Sequence, residues 1–155
     1  MREPVTAYIA LGANLGDACA TVRHAMAALG GCPGIRLQQA SSLYRTAPME
    51  SSGPDYINAV VEVHTQLSAP DLLAQLQALE LANGRERPYR NAPRTLDLDI
   101  LLFGEARLES AALTIPHPRM AGRAFVLVPL AEIAPHRVSE AQLQAVQNQS
   151  IERLL

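Results

Sequence analysis

Residues 94–104 read RTLDLDILLFG, an apolar strand signature interrupted by two aspartates, Asp97 and Asp99. Residues i and i+2 of a strand share a face, so both carboxylates point the same way, roughly 6–7 Å apart along the backbone. Two such charges repel by about 3 kcal/mol at an effective dielectric of about 20. Strict alternation puts Leu96, Leu98, Ile100 and Leu102 on one face and Asp97, Asp99, Leu101 and Phe103 on the other. The D-x-D pair is then either a solvated start to a strand that later becomes buried, or a pair of oxygen ligands for a hard cation such as Mg²⁺.

Working outward, this strand closes a series. VTAYIAL (5–11) reads as a buried strand ended by the turn GANLGD (12–17). Asp17 is placed to cap a helix in which Val22, Ala25, Met26 and Leu29 recur at core-face spacing, and GGCPG (30–34) stops it. A second strand is expected over about 35–45, then the loop TAPMESSGPD (46–55), then the strand YINAVVEVHT (56–65). Ser68 and Pro70 open a helix with Leu72, Leu73, Leu76 and Leu79 inward and Asn83-Gly84 as its stop. The order β-α-β-β-α-β is that of an α+β, ferredoxin-like split βαβ core, a mostly antiparallel sheet with helices packed on it. Beyond Gly104 the pattern weakens: TIPHPRM (114–120) is broken by prolines, AFVLVPLAEI (124–133) suits a strand or a buried helix, and the polar stretch from Ser139 reads as helical or frayed. The 155 residues are expected to form one domain, with a core over about 5–135 and a polar tail over about 139–155.

Composition narrows the chemistry. Net charge is −2 with a pI near 6.1, which does not suit a dedicated nucleic-acid binder. The chain contains no lysine, so Schiff-base and Walker A mechanisms are excluded and any phosphate must be met by arginine, backbone amides or metal. Cys19 and Cys32 have neither metal-ligand nor redox spacing, and His24, His64, His117 and His136 are scattered, which argues against zinc. No stretch approaches the length of a membrane span, and a reducing, cytoplasmic setting is expected.

Around the two aspartates, the other chemistry-bearing residues form two groups. GRERPYRNAPR (84–94) carries Arg85, Arg87, Arg90 and Arg94. Alone it reads as a solvated loop; beside two carboxylates it can cover a polyphosphate, guanidinium groups taking some oxygens and metal the others. In DYINAV (55–60), Tyr56 and Asn58 share a strand face, pairing an aromatic ring with an amide whose donor and acceptor match the edge of a flat nitrogen heterocycle. The plainer reading is an edge strand with a hydrogen-bonded Asn. Phe125 is either an opposing ring or core. His117 with Arg119 and Arg123 nearby, and Glu80 on the second helix, read as ordinary loop and polar-face residues when taken singly.

Together, SSLYRTAP, PDYINAVV, ELANGRER, RNAPRTLDLDILLFG and TIPHPRM occur in the order of the 6-hydroxymethyl-7,8-dihydropterin pyrophosphokinase family, which the chain resembles from AYIALGANLGD to AFVLVPLAEIAP. The resemblance implies transfer of diphosphate from ATP to the pterin hydroxymethyl group in folate biosynthesis, with release of AMP. It implies two Mg²⁺ ions on Asp97 and Asp99, bound with ATP. It implies a pterin site from Thr46, Ala47, Met49, Tyr56, Asn58 and Phe125. ATP would meet Gln77, Glu80, Arg94, Ile100, Thr114, His117 and Arg123, with Arg85, Arg87 and Arg94 acting on the phosphates. The chain departs from the family pattern at Asn91, Ala112 and Pro118. The expected partners are the two small substrates, with no nucleic acid, no membrane and a monomeric state. Two other classes use the same features: a nucleotidyltransferase, which would release pyrophosphate, and a ferredoxin-like ligand-binding module without turnover.

Overall fold

The computed structural model describes residues 3–47, 54–82 and 96–154. The first strand, β1 (Val5–Ala13), lies inside the sheet, antiparallel to β4 (Tyr56–Thr65) on one edge and to β5 (Asp97–Phe103) on the other. The far edge of β4 is shared by β2 (Ile35–Ala40) and β3 (Tyr44–Thr46), both antiparallel to it. Taking β2 and β3 as one interrupted strand, the first strand lies between the third and the last. This is the ferredoxin-like order.

Two helices cover one face. In α1 (Ala18–Gly30), the Asp17 side chain accepts from the Ala20 N–H at 3.1 Å, and Val22, Ala25 and Leu29 are buried. In α2 (Ala69–Ala82), Ser68 Oγ accepts from the Asp71 N–H at 3.2 Å, and the buried positions are Ala69, Leu72, Leu76 and Glu80. They pack on Ile9, Leu11, Val61, Val63, Leu98 and Ile100. The opposite face holds a second cluster, where Tyr8, Val60 and Leu102 meet α3 (Ala124–Ile133). Thus AFVLVPLAEI is a helix, apolar nearly all round because it is buried against both sheet and tail. No helix among the described residues is long and apolar enough to cross a membrane.

Two expectations from the alternation rule need correction. The β1–β5 register shifts between Tyr8 and Ile9: Ile9 pairs with Ile100 and Tyr8 with Leu102, leaving Leu101 as the extra residue of a bulge. The faces predicted for Leu96 to Ile100 hold, but Leu101 and Leu102 both join the α3 side and Phe103 crosses to the other. The second strand is also broken, at Ser41–Leu43. There the Ser41 N–H donates to the Val60 carbonyl at 2.9 Å, while Ser41 Oγ accepts from the Val60 N–H at 2.9 Å, a side chain replacing a ladder carbonyl.

Beyond β5 come a small hairpin, β6 (Leu108–Glu109) with β7 (Thr114–Ile115), then α3, a short α4 (Glu140–Ala145) and β8 (Glu152–Arg153). β8 adds antiparallel to β3, with Tyr44 opposite Arg153. The junction is tied by Glu132 of α3. Its Oε1 accepts from the Tyr44 hydroxyl at 2.6 Å and both its oxygens accept from the Ser42 N–H, at 3.0 and 3.1 Å. Arg153 lies 3.5 Å from Glu132 Oε2. Burial, reinforced by the bond to Glu132 and its charge, pushes the Tyr44 phenol up to about 12. For Glu132, burial acts upward, but the hydrogen bonds from Tyr44 and Ser42 outweigh it and hold the carboxyl below its usual range.

Tyr44→Phe is therefore expected to cost about 1 kcal/mol or somewhat more at neutral pH in urea unfolding. The unfolded phenol loses its proton near pH 10, the folded one near 12. The Tyr44 contribution is thus complete below about pH 10 and lost as pH rises towards 12. The stability gap between wild type and variant should close over that window; a gap constant with pH would contradict the arrangement.

Candidate active site

The registers of the two β1 ladders set out the site. Asn58 of β4, Gly12 of β1 and Asp97 of β5 lie in one cross-strand row, and Val60, Ala10 and Asp99 in the next. Cross-strand partners share a face, and Val60 places these rows on the α3 side of the sheet. Both aspartates are half-buried. Between the amide and the carboxylate the middle strand contributes no side chain. A Cβ at Gly12 would come within 3.0 Å of Asn58 Oδ1, so glycine leaves that amide its space.

Asn58 is buried and its Nδ2 donates to Thr46 Oγ1 at 2.9 Å, which fixes the amide orientation. Tyr56, half-buried, is paired with Thr46 and shares the face of Asn58 by strand alternation; Ala47 follows, exposed, at the end of β3. Phe125, half-buried, packs on the α3-side cluster from the first turn of α3, and the Arg123 guanidinium lies 5.3 Å from its ring centroid.

The bulge at Leu101 has a partner here: its carbonyl accepts from the His117 N–H at 3.0 Å, tying the loop before α3 to β5. His117 Nδ1 accepts from the Arg119 N–H at 3.2 Å, so the neutral ring carries its proton on Nε2. Burial, then the charges of Arg123 and Arg119, lower the His117 pKa, with Asp97 acting in the opposite direction. Those groups are close enough to sense one another. Thr114 is half-buried on β7.

Other residues differ from their reading. The Ile100 side chain is buried under the helices, so only its backbone is available to a nucleotide. Gln77 is exposed on α2, whereas Glu80 is only 3% exposed. Its Oε2 accepts from the Leu98 N–H at 2.9 Å. Among the described residues β5 ends the sheet, and Glu80 holds that edge strand at the residue between the two aspartates. Sequence carried no signal for this beyond a Glu on the helical core spacing 72, 76, 80. Asn14, also overlooked, is 2% exposed; its Nδ2 donates to the Pro54 carbonyl at 3.5 Å, and its Oδ1 is buried without a hydrogen-bond partner among the described residues. Met49, Arg85, Arg87 and Arg94 lie outside the described residues. A cavity of about 560 Å³ adjoins Thr46 and Ala47, but its other wall is the segment 147–152 rather than the carboxylates. Among the described residues no three His, Cys, Asp or Glu side chains gather at a point that could hold a metal. A cation at Asp97 and Asp99 would therefore draw its remaining ligands from a substrate, from water or from beyond these residues.

The model of one protein family, 7,8-dihydro-6-hydroxymethylpterin-pyrophosphokinase (HPPK), matches residues 8–135. Curated proteins from Synechocystis sp. and Pseudomonas aeruginosa, both named 2-amino-4-hydroxy-6-hydroxymethyldihydropteridine pyrophosphokinase, are 47% and 46% identical over 129 residues. Each match covers 83% of this chain, and 66% and 80% of the relative respectively. A solved HPPK-DHPS chain in complex with substrates has a TM-score of 0.71 at 14% identity, over 94% of this chain and 43% of its own. The chain thus spans just under two thirds of the Synechocystis relative and under half of that solved chain.

Removing the Glu80 carboxylate tests the hold on β5. Glu80→Ala leaves the Leu98 N–H without this acceptor and is expected to destabilise the fold by about 1–3 kcal/mol. Glu80→Gln keeps an acceptor oxygen and should recover much of that loss. Equal urea midpoints for Glu80→Ala and wild type would refute the assignment.

Proposed function

The chain belongs to the 7,8-dihydro-6-hydroxymethylpterin-pyrophosphokinase family, and we propose that it transfers the β,γ-diphosphate of ATP to 6-hydroxymethyl-7,8-dihydropterin, giving AMP and the pterin diphosphate, in folate biosynthesis. One observation carries the reading: Asn58 and Asp97 stand at the two ends of one row with side-chain-free Gly12 between them. Strands are about 4.8 Å apart, so the amide and the carboxylate backbones are roughly 10 Å apart. That span suits a bicyclic ring on the amide with its hydroxymethyl arm directed at a phosphate beside the carboxylates.

Each residue then has a task. Asn58, oriented by Thr46, reads the pterin edge, while Tyr56 and Phe125 sandwich its faces and Ala47 and Met49 close the pocket. Gln77, Arg94, Thr114, His117, Arg123 and the Ile100 backbone receive ATP, with Glu80 acting beneath them by holding β5, and Arg85, Arg87 and Arg94 fork onto its phosphates. Neutral His117, its Nδ1 occupied by the Arg119 N–H, offers Nε2–H as a donor. Asp97 and Asp99 would hold two Mg²⁺ ions, which when bound supply charge neutralisation at the phosphate oxygens. Their fit rests on two half-buried carboxylates on one face beside Gly12 and Ala10, residues too small to crowd them. Diphosphoryl transfer demands alignment and electrostatic stabilisation more than covalent help, and a rigid sheet row supplies alignment. The 155 residues work as one domain, a cytoplasmic monomer acting on small molecules rather than nucleic acid or membranes. The free thiols of Cys19 and Cys32 agree with a reducing compartment.

The test is a product assay with ATP, Mg²⁺ and 6-hydroxymethyl-7,8-dihydropterin. Pterin-dependent AMP without ADP is the expected result; pyrophosphate release would replace the reading with nucleotidyl transfer. Asp97→Ala and Asp99→Ala should each lower turnover about a hundredfold or more, with circular dichroism unchanged. Asn58→Ala should weaken pterin binding about tenfold and leave ATP affinity unaltered in calorimetry. Unchanged pterin affinity would remove Asn58 from the site.

A further inference from the structure

We propose that Gln149, far along the chain from the rest of the site and outside the matched residues 8–135, is a positioning residue for Arg123 and Phe125. This rests on the assignment of those two side chains to ATP and pterin.

A helix begins with N–H groups that have no partner within it. The residue before α3 is Arg123, in extended conformation (φ −128°, ψ 114°), and its side chain makes no capping bond; arginine has no acceptor to offer. The Ala124 N–H instead donates to Gln149 Oε1 at 2.9 Å, across 25 positions of sequence. The other end of the same amide, Nε2, donates to the Gly122 carbonyl at 2.9 Å.

The two backbone groups involved belong to the two peptide planes that flank the Arg123 Cα. Rotation about φ of Arg123 turns the first plane, and rotation about ψ turns the second. One rigid, planar side-chain amide bridging both holds φ and ψ together. The bridge adds to main-chain bonds on the same two planes: the Arg123 N–H donates to the Met120 carbonyl at 3.3 Å, and the Arg123 carbonyl accepts from the Val126 and Leu127 N–H groups at 3.1 and 3.0 Å. Gln149 is itself braced. Its N–H donates to the Val146 carbonyl at 3.0 Å, Val146 is 3% exposed in the α3-side core, and Ile151 packs on the same cluster. Arg123 lies over the Phe125 ring, so fixing the backbone at 123 sets the direction of both side chains.

The experiment compares steady-state kinetics of wild type, Gln149→Ala, Gln149→Glu, Phe125→Ala and the Gln149→Ala/Phe125→Ala double variant, well below the melting temperature of each. Gln149→Ala is expected to raise KM for both ATP and pterin about five- to tenfold, the consequence of one or two lost hydrogen bonds, with kcat within about twofold. Gln149→Glu keeps the acceptor for Ala124 but loses the donor to Gly122, and should give a smaller rise; it decides the matter if the alanine variant fails to fold. In the Phe125→Ala background the Gln149→Ala effect on pterin KM should vanish, because the clamp acts through that ring. A lower melting temperature or active fraction with both KM values unchanged would leave Gln149 a merely structural residue and overturn the proposal. If Phe125→Ala weakens pterin binding while Gln149→Ala does not, the clamp alone falls. If Phe125→Ala leaves pterin KM unchanged, the assignment of the ring falls and the clamp with it.

Discussion

β1 is hydrogen-bonded along both edges, and the registers of its two ladders decide where the chemistry of the sheet can stand. A one-residue slip on either side would send a whole strand's side chains to the opposite face. Asn58 would then point under α1 and α2, or Asp97 and Asp99 into a core built from Ile9, Leu11, Val61 and Val63, with Leu98 and Ile100 turned out of it. The apolar residues on the helix-covered face forbid this more strongly than any polar contact could. The position of the carboxylates is thus enforced by their apolar neighbours, two of which, Leu98 and Ile100, alternate with them on the same strand.

Among the described residues, the strand that carries the two aspartates is an edge strand. An edge is a weak place to hold two like charges, since half its backbone groups have no ladder partner. The buried Glu80 takes the Leu98 N–H, and the Leu101 carbonyl takes the His117 N–H. These two bonds fasten β5 outside the sheet, one to α2 and one to the loop leading into α3. The bulge at Leu101 serves the second of these by departing from regular pairing with β1.

Much of this was legible locally. The bounds of β4, the cap of α1 at Asp17, the core face of α2 and the D-x-D pair on one face follow from periodicity and capping chemistry, which act within a few residues. What was not legible depends on partners distant in sequence. Ser41 breaks the second strand by bonding to Val60, and the bulge at Leu101 arises from pairing with β1. α3 has no periodicity because it is buried on most sides. β8 is two residues long and gains its identity only from Tyr44 and Arg45. Glu80 read as a surface residue because a carboxylate on a helix is nearly always solvated; a backbone donor that meets it, the Leu98 N–H, lies on another element. Gly12 was visible as part of a turn, but its use as a gap beside Asn58 required the register. The candidate site was legible mainly through its order of motifs. Its arginine loop and Met49 lie outside the described residues and enter the site through that order.

The central place of β1 also bears on how the chain reaches this state. β1 comes first in the sequence, yet Leu11 finds Ala59 on one side and Leu98 on the other. Closing loops of that length must precede any reward from the contacts they bring, which slows folding as the separation grows. During synthesis β1 is therefore the first strand of the sheet to emerge, and its second edge stays open until β5 follows. In that interval its open edges can accept a strand from another chain as readily as from its own. The feature that gives the finished site its rigidity makes β1 the segment most exposed to misassociation on the way there.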